Sequence, residues 1–296
     1  MSHVEKDAGL ERRYEGFGLT VEDKGIAVLR LDRPEFRNGL TWPFWRDLGR
    51  ALRDLDAGGD IRAAIIEAAG PHFSAGMAYD FFRCSERPAT MDAGRFSETL
   101  RHVVLDLQDA VASLEQVRFP VIAAVQGGCI GAALDLVCAA TFRLCSADAY
   151  FQAAEVDMGL APDMGTLQRL QLLVPAGVAA DVALTGRALP AAEALHHGLV
   201  SAVLPDHGAL AGAARDLAAR IAAKSPLAVA GIKAGLLFAR DHGVAAGLGL
   251  SAAWNAGMFV TEDVHRSVVA RRERAPAVYG QLNPRPADWL FRDEKP

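Results

Sequence analysis

Residues 119–170 read FPVIAAVQGGCIGAALDLVCAATFRLCSADAYFQAAEVDMGLAPDMGTLQRL, and this stretch decides the fold. Its apolar, β-branched opening, Val121 to Val125, predicts a buried strand, which Gln126, Gly127 and Gly128 break. A helix is expected next, starting on the small residues Gly131, Ala132 and Ala133 and carrying Asp135 in its first turns. Two further acids follow, Glu155 after the aromatic pair Tyr150 and Phe151, and Asp163 in the Gly- and Pro-punctuated loop that begins at Gly159. Three carboxylates thus fall beside turns and element ends among small or apolar residues, where burial raises a carboxyl pKa. A helix start without bulky side chains also exposes backbone N–H groups to an oxyanion. The same small residues would equally serve close packing of helix on sheet. Each acid taken singly also has a plainer use: Asp135 on the helix dipole, Glu155 as surface charge, Asp163 as the cap of a helix starting near Thr166.

Together these segments resemble the crotonase (enoyl-CoA hydratase/isomerase) superfamily. The likeness is carried by FPVIAAVQG, the small-residue helix start, FQAAEVDMGL and the later LTGRALPAAEALHHGLVSAVLPD. ALDLV followed by FQxxEVDxGLAxDxGTLQRL is most similar to the dienoyl-CoA isomerase branch of that family. A hydratase would carry a glutamate in place of Asp135 and an uncharged, glycine-rich turn in place of Asp163. The resemblance implies an α/β fold, a crotonase-like ββα superhelix core with a C-terminal all-helical trimerisation region.

Composition sets the outer bounds. With 296 residues, 51% hydrophobic and 23% charged, the chain can bury a full-sized core. A net charge of −5 argues against a nucleic-acid protein bound through a basic surface. Cys84, Cys129, Cys138 and Cys145 form no CxxC pair and are read as core or incidental thiols in a reducing compartment. No metal site is expected. No apolar run is long enough to span a membrane, the first residues lack a signal-peptide core, and the chain does not end in Ser-Lys-Leu, so a cytoplasmic location is expected.

Upstream, Gly25 to Leu31 and Ile61 to Ala68 predict strands, and Thr41 is a plausible N-cap for a helix running to about Leu55 with Pro43 in its first turn. Arg33 to Asn38 resembles the family's RPxxRN element, which makes Arg37 a candidate for CoA phosphate, although a solvated loop arginine would read the same. Phe73 to Met77 is similar to the family's F-[ST]-A-G-x element. By that likeness the backbone N–H groups of Met77 and Ala132 form an oxyanion hole, and Ala75 joins Arg37 in binding CoA. One such donor is typically worth ~3 kcal/mol. Two departures stand out: Ala78 where the family commonly has an Asp, and Gly131-Ala-Ala in place of a triple glycine.

Met91 to Val117 shows helical apolar spacing in Phe96, Leu100, Val104, Leu107 and Val111. His196 and His197 are adjacent, a spacing that suits packing better than a metal pair. From about Leu210 the pattern is almost all helical. The expected organisation is a flexible N-terminus (1–16), a crotonase core (17–209), a helical C-terminal region (210–274) and a Pro-containing tail (275–296).

The implied reaction moves the double bonds of a 3,5-dienoyl-CoA to the 2,4 positions, with Glu155 at the C2 end, Asp163 at the C6 end and Asp135 tuning both. Coenzyme A is part of the substrate and no other cofactor is implied. The family assembles as homotrimers or hexamers, and its chemistry belongs to fatty acid β-oxidation. Two other readings stay open: a hydratase using Asp135 and Glu155, and a non-catalytic acyl-CoA-binding protein, for which the Ala78 and Ala132-Ala133 departures speak.

Overall fold

A computed structural model describes residues 11–81 and 86–285. Strands β1 (Glu11–Tyr14), β2 (Phe17–Glu22) and β3 (Ile26–Leu31) open the chain as an antiparallel meander. Helix α1 (Trp42–Gly58) crosses to β4 (Ala63–Ala68), and α2 (Ala93–Gln116) crosses to β5 (Val121–Val125). Two strand-strand-helix units follow. The first is β5, β6 (Gly128–Ile130) and α3 (Ala132–Ala139), and the second is β7 (Phe142–Ser146), β8 (Tyr150–Gln152) and α4 (Thr166–Leu173). Then come α5 (Ala176–Thr185), β9 (Leu189–Pro190), α6 (Ala191–His196) and β10 (Ala202–Leu204). Helices α7 (His207–Ala222), α8 (Pro226–His242), α9 (Val244–Met258) and α10 (Glu262–Glu273) follow.

The strands form a seven-stranded sheet, β1-β2-β3-β4-β5-β7-β10, parallel from β3 onward, and a three-stranded sheet, β6-β8-β9. Alternation along the strands sends Leu29, Ile66, Ala123 and Val125 to one face, against α1, α2 and α3, and Val28, Ile65, Ile122 and Ala124 to the other. Because both faces are covered, β5 reads as an unbroken apolar run and is buried throughout. Thr41 does cap α1, its Oγ1 accepting the Phe44 N–H at 3.4 Å.

Packing departs from the expected organisation in three places. Residues 11–16, expected to be loosely held, form β1 and its turn; β1 pairs with β2, and Tyr14 stacks on Phe17 with ring centroids 4.6 Å apart. Residues 1–10 lie outside the described residues. Helix α7 lies against the sheet through buried Leu210, Ala214 and Ala218, so packing does not separate it from the core that precedes it. Finally, the start of the tail is strapped down: the Arg62 guanidinium donates to the carbonyls of Tyr279 and Gly280 at 3.2 and 2.7 Å, and Arg285 pairs with buried Asp56 at 2.6 Å. Cys129, Cys138 and Cys145 are buried free thiols, as expected of core residues, and Cys84 lies outside the described residues.

Candidate active site

After the break that follows β5, α3 packs against α2 and α4. Asp135 is 1% exposed, and its Oδ1 accepts the backbone N–H of Thr166 at 2.5 Å. Burial pushes its carboxyl pKa up to about 7, with Glu155 and Asp163 adding like-charge repulsion and Thr166 opposing them. Helix α4 begins at Thr166 behind Gly165, whose φ of 125° permits the sharp entry and which offers no side-chain cap. The cap that Asp163, taken singly, could have supplied is thus supplied by Asp135 on another helix.

Glu155 lies in a short helical turn, Ala154–Met158, after β8. Its Oε1 would lie 3.3 Å from a Cβ built on Gly131, so a larger side chain there would crowd it. Its Oε2 is buried without a hydrogen-bond partner, as is the Thr166 hydroxyl. Burial, then the charge of Asp163, raises the Glu155 pKa. Asp163 itself is open to solvent as a residue, yet enough protein surrounds its carboxyl to raise its pKa too. Gln108 on α2 donates to the Asp163 carbonyl at 2.7 Å and holds that loop. Three acids far apart in sequence thus share one electrostatic field, each held toward its protonated form.

Residues 73–77 run beside β6, with Ser74 bridged to Cys129. Gly76, at φ 85°, approaches so closely that a Cβ there would meet the Ile130 carbonyl oxygen at 2.5 Å and the Ala132 nitrogen at 3.3 Å. Among the described residues the N–H groups of Met77 and Ala132 donate to no protein acceptor. The loop needs no aspartate at Ala78 to hold it, because the Leu40 N–H donates to Gly76 O at 2.8 Å and the Ala78 N–H to Leu40 O at 2.9 Å. Arg37 and Ala75 are both exposed and joined by a backbone bond, Ala75 N–H to Arg37 O at 2.9 Å. A cleft of about 460 Å³ opens beside this loop, lined by Thr41, Trp42, Ala78, Phe81 and Val103 among others, and none of the three acids lines it.

Sequence reading missed Thr166, Gln108 and Ser74. Ser74 stood inside a recognised motif, which was the available signal; the other two act through contacts between elements and leave no local pattern.

The chain matches the family described as Enoyl-CoA hydratase/isomerase over residues 21–282, and it belongs to that family. Among its relatives, a mitochondrial protein from Homo sapiens named Delta(3,5)-Delta(2,4)-dienoyl-CoA isomerase is 41% identical over 269 residues, 89% of this chain and 81% of its own. A peroxisomal protein of the same name from Arabidopsis thaliana is 37% identical over 262 residues, 88% of this chain and 94% of its own. The crystal structure of an enoyl-CoA hydratase from Bacillus anthracis superposes with a TM-score of 0.81 at 26% identity, covering 89% of this chain and 98% of its own. These relatives correct the expectation of a cytoplasmic location, since those named are mitochondrial or peroxisomal. The expectation weighed only a secretory core and a C-terminal Ser-Lys-Leu, whereas organelle addresses take several other forms, such as amphipathic, Arg-rich transit segments, so lacking those two does not fix a compartment.

Proposed function

We propose that the chain converts 3,5-dienoyl-CoA to 2,4-dienoyl-CoA. The proton at C2 lies between a thioester and a diene, so its removal gives an extended dienolate, and protonation at C6 completes the shift. Such chemistry needs one ionised and one protonated carboxyl near neutral pH in a partly dry site. Glu155 serves the C2 end, Asp163 the C6 end, and Asp135 biases their protonation. The observation that carries this reading is Asp163: the charge of this third acid raises the pKa of both Asp135 and Glu155, while burial raises its own.

Met77 and Ala132 would supply the two backbone donors for the enolate oxygen, a role supported by their unspent N–H groups and by the close approach of Gly76 to Ala132. Arg37, exposed and without an ion pair among the described residues, suits a CoA phosphate, with Ala75 beside it. The cleft beside Ala78 suits the acyl tail, since Trp42 and Phe81 stack there with centroids 6.3 Å apart. No cofactor is needed beyond the CoA of the substrate. A homotrimer or hexamer is favoured by α9, which carries no charged residue although Val244 and Leu248 are 76% and 66% exposed. The reaction would serve β-oxidation of unsaturated fatty acids.

The test is an assay with 3,5-octadienoyl-CoA, following the ultraviolet absorbance of the conjugated 2,4-dienoyl product, with Asp163→Asn in parallel. A rise in the wild type that vanishes in a folded variant is expected; full activity in the variant would remove Asp163 from the mechanism. A hydratase is the second reading, favoured by the unpartnered Glu155 Oε2, which could hold a water. Hydration of crotonyl-CoA without dienoyl isomerisation would establish it.

A further inference from the structure

Ser74 is fully buried, and four hydrogen bonds meet on it. Its N–H donates to Gly128 O at 3.0 Å and its carbonyl accepts the Ile130 N–H at 3.1 Å. These two bonds register residues 73–77 against β6, the strand that runs into Gly131 and Ala132. Its hydroxyl accepts the Gly76 N–H at 3.0 Å and donates to the Asn38 carbonyl at 2.8 Å. Asn38 is a firm anchor: it is 2% exposed, its Nδ2 donates to the Ala69 and His72 carbonyls at 2.8 and 3.0 Å, and its Oδ1 accepts the Arg33 N–H at 2.8 Å.

We propose that Ser74 is a positioning residue that sets the register of both backbone donors, Met77 N–H and Ala132 N–H, and so governs turnover without touching substrate. This rests on the reading of those groups as the oxyanion hole. The two donors belong to separate segments, and stabilisation by paired hydrogen bonds falls steeply once either is misaligned. Ser74 bonds to both segments, through its backbone to β6 and through its hydroxyl to the peptide of Gly76. Loss of the hydroxyl leaves the Gly76 N–H and the Asn38 carbonyl unpaired in a buried place, which is costly enough to drive rearrangement. The Gly76–Met77 peptide then keeps the bond from the Leu40 N–H to Gly76 O but loses its anchor on the Gly76 N–H side, and at φ 85° the glycine has no side chain to replace it, so the Met77 N–H tilts out of alignment with its partner donor.

Ser74→Ala and Ser74→Thr, the latter keeping the hydroxyl, would be compared with wild type in steady-state kinetics, in thermal melts, and in the vibrational frequency of the thioester carbonyl of bound octanoyl-CoA. The alanine variant is expected to lose roughly 10–10²-fold in kcat, with KM within about two-fold, since a small misplacement of catalytic groups costs this much. The carbonyl shift seen in wild type should be lost in Ser74→Ala and recovered in Ser74→Thr. Should the alanine variant not fold, Ser74→Cys, nearly isosteric with a poor acceptor, should give the same losses. A folded variant lacking the hydroxyl with wild-type kcat and carbonyl shift would overturn the proposal. An unshifted carbonyl in wild type would instead remove the oxyanion reading, and this inference with it.

Discussion

The carboxyl of Asp135, on α3, accepts the backbone N–H of Thr166, the first residue of α4, at 2.5 Å. A helix start that lacks a side-chain cap of its own is thus satisfied by an acid 31 residues away. The bond favours the ionised carboxylate, but burial, with the charges of Glu155 and Asp163, outweighs it and leaves Asp135 costly to ionise.

Asp135→Asn should therefore stabilise the fold at neutral and higher pH while reducing isomerase activity. With a native pKa of about 7 against 3.8 for the free side chain, the native state binds more protons than the unfolded state between those values. Stability from this group is then greatest at low pH and falls as pH rises through that window. The amide keeps an acceptor for Thr166 and carries no charge, so the gain should reach a few kcal/mol above about pH 7 and vanish below about pH 4. Denaturation midpoints measured across this range check the sign.

Glu155→Gln should cut turnover by ~10²–10⁴-fold, the usual worth of a positioned acid-base group. Because burial and Asp163 raise the Glu155 pKa, the wild-type pH–rate profile should have a limb above the ordinary carboxylate range that the variant lacks. Measurement of kcat/KM against pH distinguishes this from a general loss of activity, which would leave the limb in place.

Gly76→Ala tests the close approach of the loop to α3. Its Cβ would sit 2.5 Å from the Ile130 carbonyl at a φ of 85°, so something must shift. Such strain costs on the order of 1–3 kcal/mol. A lower melting temperature together with a larger fall in kcat than in substrate affinity is expected; unchanged kcat would show that the loop tolerates displacement.

Lys233 on α8 is 6% exposed and donates to the carbonyls of Leu114, Val117 and Phe119 at 2.8, 2.7 and 2.9 Å. It ties α8 to the end of α2, and burial pushes its pKa down to about 7. Lys233→Met should cost about 2–4 kcal/mol, because carbonyls that lose their donor stay buried. Chemical denaturation of the variant measures it, and a change under 1 kcal/mol would mean that water replaces the ammonium.

Much of the fold is local and was legible. The strand at Val121 to Val125, the helix capped by Thr41, and the helix at 93–116 follow from apolar period, capping chemistry and length, properties that each segment carries by itself. Asp135, Glu155 and Asp163 were legible as candidates through resemblance, since their spacing spans turns and no single element presents them together. Tyr14 and Leu210 show the limit on the fold side: polar context hid the first strand, and an alanine-rich helix gave no sign that it covers the sheet.

What the sequence determined by itself was the buried strand at Val121–Val125 and the capped or apolar-periodic helices, because period and caps act within a few residues of chain, while the three acids became candidates through family resemblance. What only the tertiary structure decided was which group meets which: Asp135 rather than Asp163 at the start of α4, Gln108 on the Asp163 loop, Ser74 between Asn38, Gly76 and β6. Those pairings, and the raised pKa values that go with them, depend on burial and on contacts between distant segments, which exist only once the sheets and helices have packed.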